Sequence, residues 1–252
     1  MILCIGIGNT NIRCAVGTKD NYNHAVEFMA EVTTSRDFIG FMETSFGANI
    51  WGKLQGCIIS SVVPVMNNIV VEALHDKNNS LSIQYLDMIT SNIDFSGYKS
   101  KLGDDRFACC VAAAEKHGFP AIIIDMGTAT TINVINEVNK FIGGAILTGV
   151  ETGLAALTKK TAQLPPINDF SNVKIIGQDT RECLVSGAVV GTVCMLEGYI
   201  KRIKDELRAD PIVVITGGNA QKVMKFCNFD YIYEPSLLLE GLFISWACKN
   251  LL

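Results

Sequence analysis

The chain is built from short, fully apolar runs separated by glycine-bearing turns. Ile2 to Ile7 is one such run, the turn Gly8-Asn9-Thr10 follows, and a second run goes from Ile12 to Val16, ending at Gly17. This order predicts a β-hairpin. Ala25 to Val32 supplies a third strand, and Ser35 to Phe46 reads as a short helix. Cys57 to Val63 is compact, β-branched and bounded by Gly56 and Pro64, which predicts a buried strand. Pro64 is suited to open the next helix, Val65 to His75, because its fixed φ fits a first helical turn. Arg106 to His117 has helical spacing and stops at Gly118-Phe119-Pro120.

The pattern then restarts. Ala121 to Asp125 reads as a buried strand, Gly127-Thr128 as a turn, and Thr131 to Ile135 as the next strand. Asn136 to Lys140 turns the chain into Phe141 to Ile146. Helices are predicted at Glu151 to Thr161, Arg181 to Arg208 and Leu237 to Asn250, with a buried strand from Pro211 to Ile215 running into Thr216-Gly217-Gly218. The segments LCIGIGNTNIRCAV and IIIDMGTATTINVI share one pattern of apolar strand, glycine turn and apolar strand. Such internal similarity implies a duplicated unit with a cleft between the copies; coincidence of two similar hairpins is the alternative.

Composition narrows the class. A chain of 252 residues makes one large domain or two small ones. Charged residues are 18%, which leaves room for a subunit interface, because interface cores are poor in charge. The net charge is −4, and no basic block interleaves with aromatics, so no nucleic-acid partner is expected. The cysteines at 4, 14, 57, 109, 110, 183, 194, 227 and 248 form no C-x-x-C pair and mostly sit in apolar runs. They read as reduced thiols that behave as small hydrophobes. The N-terminal run has no basic leader, and no run of about 18 uninterrupted apolar residues occurs, so a cytoplasmic protein without a membrane span is expected.

Three groups carry candidate chemistry. Gly8-Asn9-Thr10 and Gly127-Thr128-Ala129-Thr130-Thr131 are loops whose backbone N–H groups can approach a phosphate chain, because glycine lacks the Cβ that would block it. Neither is a Walker or Rossmann loop. Gly103-Asp104-Asp105-Arg106 lies at a loop-to-helix junction. Its aspartates suit helix capping, and equally suit a base beside an anion-binding guanidinium. Asp125 ends a buried strand, where a carboxylate needs a cation or a partner.

These residues together resemble the type III pantothenate kinases, members of the actin-like, acetate-and-sugar-kinase fold. The resemblance runs nearly end to end: Ile5 to Thr10, Ser60 to Pro64, Gly103 to Arg106, Asp125 to Thr131, Gly143-Gly144, Thr161 to Pro165, Ile176-Gly177 with Thr180, Ser186-Gly187, Thr216-Gly217-Gly218 and Leu239 to Leu242. It implies an α/β fold of two duplicated ribonuclease-H-like (actin-like ATPase) domains with a cleft between them. The domains would span 1–117 and 118–252, with the last helix, about 237–252, free to pack back on the first. It implies ATP-dependent phosphorylation of pantothenate, the first step of coenzyme A biosynthesis. Asp105 would be the catalytic base. Gly103, Asp104, Asp105, Arg106, Thr180 and Tyr98 would bind pantothenate. Gly6, Ile7, Gly8, Asn9, Thr10, Asn11, Ile12, Arg13, Thr128, Gly217 and Gly218 would bind ATP with Mg2+. Asp125 would hold a monovalent cation, K+ or NH4+, and a homodimer with sites at its interface is expected.

The chain departs from this pattern at Gly6, where the family carries an aspartate that helps place magnesium. Magnesium is held by few carboxylates, so the loss implies a rate lower by roughly 10²–10³ if nothing compensates. A catalytically weakened or inactive nucleotide- or pantothenate-binding relative with a regulatory role is the alternative. The segment Phe95 to Lys101 replaces the usual Asn-Pro stretch, leaving Tyr98 or Phe95 as the aromatic contact to pantothenate. Asn133 and Thr148 replace a common Asp and Pro, and Asp179 a common Asn.

Overall fold

The structure is a computed structural model in which residues 1–18, 21–29, 32–87 and 91–249 are described. The chain divides into two compact units. The first contains residues 1–93, 99–115 and 236–252; the second contains 94–98 and 116–235.

The first unit is built on a five-stranded sheet. Its strands are β1 (Ile2–Ile7), β2 (Asn11–Thr18), β3 (Asn21–Met29), β4 (Gly56–Ser61) and β5 (Ser82–Tyr85), in the order β3-β2-β1-β4-β5. β1 pairs antiparallel with β2 and parallel with β4. Side chains alternate across a strand, so β1 has two faces. Leu3, Ile5 and Ile7 join Ile12, Cys14 and Ile59 in one core with helices α1 (Ser35–Phe46) and α2 (Pro64–Lys77). Cys4, with Ala15 and Ile58, faces the other way, toward Ala108 of α3 (Asp104–His117). There it meets Leu239 and Leu242 of the last helix, which is α7 (Leu237–Lys249). A Cβ on Gly241 would lie 2.0 Å from Ala108 O, so α3 and α7 touch backbone to backbone, as only glycine permits.

The second unit repeats the plan. Its strands are β6 (Ala121–Met126), β7 (Ala129–Ile135), β8 (Phe141–Thr148), β9 (Ile212–Thr216) and β10 (Ile232–Tyr233), in the order β10-β9-β6-β7-β8. β6 pairs antiparallel with β7 and parallel with β9, as β1 does with β2 and β4. Central strand, hairpin partner and two parallel neighbours therefore correspond one to one, and the two sheets have the duplicated actin-like arrangement expected. Ile122, Ile124 and Met126 pack on Val193, Leu196 and Ile200 of α5 (Thr180–Leu207), which follows α4 (Val150–Lys160). A short α6 (Ala220–Val223) follows β9. By length and composition α5 could cross a membrane, but Val185, Val189, Val193, Leu196 and Ile200 form one buried stripe at helical spacing.

One sequence expectation shifts clearly. The third strand runs from Asn21 to Met29 rather than from Ala25 to Val32, because pairing with β2 from Thr18↔Asn21 to Asn11↔Met29 draws in polar residues. Val32 lies outside it, and residues 30, 31 and 250 of the predicted elements fall outside the described residues. The edge strands β5 and β10 and the short α6 have too few apolar positions to show a period. All nine cysteines are free thiols, and Cys4, Cys14, Cys57, Cys109 and Cys110 are buried.

Candidate active site

The first glycine loop closes on itself. Gly8 N–H donates to Asn11 O at 2.9 Å, and a Cβ on Gly8 would press on that oxygen at 3.2 Å. The last ladder pair is Ile7↔Ile12, leaving four loop residues, Gly8 to Asn11. Asn9 and Thr10 are exposed at its tip. Gly6 and Ile12 are buried below the loop, and Arg13 stands opposite Gly6 on β2.

In the same unit, Gly103 to Arg106 begins α3. Asp105 Oδ1 accepts the Arg106 N–H at 2.8 Å and lies 2.6 Å from where a Cβ on Gly103 would stand. The carboxylate thus folds back over the bare Cα of Gly103. Asp104, half-buried, has its pKa raised, chiefly by burial; Lys101 pulls it down and Asp105 pushes it up. Arg106 is buried, at 8% exposure, so its charge is largely desolvated.

The second loop is one residue shorter. Met126↔Thr130 is the last ladder pair, leaving Gly127 to Ala129, with Gly127 N–H donating to Ala129 O at 3.0 Å. Neighbouring loops brace it. Gly149 N–H and Thr152 Oγ1 both donate to Thr128 O, at 3.1 and 2.8 Å, and a Cβ on Gly149 would lie 2.3 Å from Gly127 O. Asn219, itself buried, donates through Nδ2 to Gly127 O at 3.1 Å and through its backbone to Met126 O at 2.9 Å. Lys222 Nζ donates to Asn219 Oδ1 at 2.9 Å and pairs with Glu151. Gly217 is buried with φ +99°, and Gly218 is exposed beside it.

Asp125 lies within this frame. It is paired with Thr131 on β7 and Thr216 on β9, so three oxygen-bearing side chains share one face of the sheet. Thr131 Oγ1 accepts from Asn133 Nδ2 at 3.2 Å. Thr216 Oγ1 is buried and, among the described residues, has no hydrogen-bond partner.

The residues singled out from the sequence fall on both units. Gly6 to Arg13 and Gly103 to Arg106 belong to the first; Tyr98, Asp125, Thr128, Thr180, Gly217 and Gly218 belong to the second. Tyr98 packs edge-on against the buried Phe141, with ring centroids 5.3 Å apart, and Phe95 packs on the same ring at 5.4 Å. Thr180 is exposed at the start of α5, beside Asp179, whose carboxylate accepts Glu182 N–H at 2.7 Å. Sequence reasoning missed Gly149, Thr152 and Asn219, and named Thr216 only as part of Thr216-Gly217-Gly218. For Asn219 a signal existed, its place directly after Thr216-Gly217-Gly218; Gly149 and Thr152 gave none.

Residues 2–202 match the profile of the type III pantothenate kinases. The chain is 31% identical over 248 residues to the type III pantothenate kinase of Persephonella marina, covering 96% of this chain and 97% of that protein. It is 32% identical over 248 residues to that of Brevibacillus brevis, covering 96% of each. Among solved structures it is similar to component A of the (R)-2-hydroxyglutaryl-CoA dehydratase of Acidaminococcus fermentans, with TM-score 0.56, 13% identity, and 99% of this chain and 98% of that one covered.

Proposed function

The chain belongs to the type III pantothenate kinase family, and from that premise we propose that it transfers the γ-phosphate of ATP to the primary alcohol of pantothenate, opening coenzyme A biosynthesis. The observation that carries the chemical reading is the Asp105 carboxylate, held over Gly103 at the start of α3. A carboxylate there takes the proton of an attacking hydroxyl, while guanidinium and backbone donors neutralise charge on the phosphoryl group. Arg106 supplies a desolvated guanidinium for the acid group of pantothenate, with Gly103, Asp104, Tyr98 and Thr180 as further contacts. The loops at Gly8 and Gly127, with Gly217 and Gly218, offer backbone N–H groups to ATP.

The monovalent cation fits its proposed place. Asp125, Thr131 and the unpartnered Thr216 hydroxyl are hard oxygen donors of the kind K+ or NH4+ takes. When bound there, the ion would supply positive charge close to the phosphate-binding loop. Magnesium is different. Gly6 offers no donor, and among the described residues no group of three metal-ligating acidic, His or Cys side chains occurs. Mg2+ is therefore read as travelling with ATP on phosphate oxygens and water.

A homodimer is part of the same reading. The outward side of α5 carries Cys183, Gly187, Gly191 and Cys194, and apart from the helix's own nearby backbone a Cβ on either glycine meets nothing within 4 Å among the described residues. Glycine inside a helix costs about 1 kcal/mol relative to alanine, so two open glycines on an exposed side suit close approach of a second copy. Nine free thiols accord with a reducing cytoplasm.

A coupled ADP-release assay with magnesium and potassium tests the reading. Turnover that depends on pantothenate is expected; ADP release no faster with pantothenate than without it would overturn it.

A further inference from the structure

Gly6 and Asp125 occupy one position in the two repeats. Each is the penultimate residue of the central strand, one step before the last ladder pair. Each faces a residue on the hairpin partner and one on the parallel neighbour: Arg13 and Ser60 for Gly6, Thr131 and Thr216 for Asp125. Their surroundings share one hydroxyl neighbour, Ser60 for Gly6, and otherwise differ. Asp125 sits between two hydroxyl residues. Gly6 has a cation beside it, and a Cβ on Gly6 would stand 2.7 Å from Leu238 Cδ2 and 3.5 Å from Leu238 Cγ. The space that a side chain at position 6 would enter is thus filled by a leucine from the first turn of α7. Its neighbour Leu239 is fixed in the cluster of Cys4, Ala15, Ile58 and Ala108, against which Leu238 also packs.

We infer that Leu238 fills the place of a first-repeat carboxylate. Gly6 and Leu238 are a matched pair through which this chain handles its nucleotide-bound metal without a ligand from β1. An aspartate at position 6 would have to displace an apolar methyl group and sit in contact with hydrocarbon, where an ionised carboxylate is disfavoured. Leu238 is accordingly a positioning residue, acting by what it excludes. The inference rests on the proposed binding of ATP but needs no turnover.

The test measures Mn2+ binding to the ADP complex of the full chain by electron paramagnetic resonance, with thermal unfolding as a control. Four proteins are compared: the parent, Gly6→Asp, Leu238→Ala and the double variant. Gly6→Asp alone is expected to unfold at a lower temperature and to bind Mn2+ within about twofold of the parent. The double variant is expected to bind Mn2+ about tenfold more tightly than Leu238→Ala, an effect of the size that single metal-site groups produce. Gly6→Asn with Leu238→Ala fills the same space without charge and should lack the gain. Equal tightening by Gly6→Asp alone would overturn the inference, because Leu238 would then not exclude the carboxylate. No tightening in a folded double variant would overturn it too, because position 6 would not face the metal. Absence of ADP-dependent Mn2+ binding in every protein would remove the inference together with the nucleotide-binding reading. Pantothenate-dependent turnover, assayed separately, would tell loss of the inference from loss of the kinase reading.

Discussion

Asp125 Oδ1 lies 2.5 Å from the point where a Cβ on Gly217 would stand, and Gly217 holds a φ of +99°. The residue after β9 must therefore be both left-handed and bare for the carboxylate on β6 to keep its place. Gly217→Ala combines backbone strain with a clash against Asp125 and the Met126 backbone. It should destabilise the chain by about 1–3 kcal/mol, seen as a lower midpoint in urea unfolding. A variant as stable as the parent would contradict the geometry.

If Asp125 holds a monovalent cation, Asp125→Asn should abolish the response to potassium. The parent's unfolding temperature and turnover are expected to rise when KCl replaces a large organic cation at equal ionic strength, through preferential binding to the folded state. In the variant both should become insensitive to the exchange.

Asp105→Asn keeps an oxygen able to accept the Arg106 N–H. Folding should survive, with kcat lower by about 10²–10⁴ and KM changed far less, as expected for loss of a general base. Steady-state kinetics and circular dichroism on the same preparation separate this from misfolding.

Gly191→Leu places bulk where, apart from the helix's own nearby backbone, no atom of the described residues lies within 4 Å of a Cβ. With a second copy packed there, light scattering should show monomers. With nothing packed there, the mass should equal the parent's and helix propensity alone should leave stability equal or higher.

Burial pushes the Cys110 thiol up to about 12, Arg106 only partly opposing it. A raised thiol pKa keeps the proton on sulfur, so nucleophilic thiolate is scarce until pH approaches that value or the fold opens. At pH 8, a thiol reagent on native protein should label exposed Cys183 and Cys248 quickly and leave Cys110 unlabelled until denaturant is added. Cys194 should join the fast group in a monomer and be slowed in a dimer formed on α5.

Much of the candidate site is legible in the amino-acid sequence alone. Gly8-Asn9-Thr10, Gly127-Thr128 and Gly103 to Arg106 are local in sequence, and each is held by contacts a few residues long: Gly8 to Asn11, Gly127 to Ala129, Asp105 to Gly103. The bracing of the second loop by Gly149, Thr152 and Asn219 was not legible, since those residues arrive from distant elements. Nor were β5 and β10, which exist because a neighbouring strand offers its edge.

By itself, the sequence determined the repeated strand, turn and strand, the glycine turns and the carboxylate beside Arg106, because strand alternation and turn chemistry act over a few residues. Only the tertiary structure decided what each repeat does with its equivalent position. It set Thr131 and Thr216 around Asp125, and it set Arg13 and Leu238 around Gly6. The physical reason is that sheet register and helix docking join residues far apart in the chain, and no local period records which side chain will fill a neighbour's empty space.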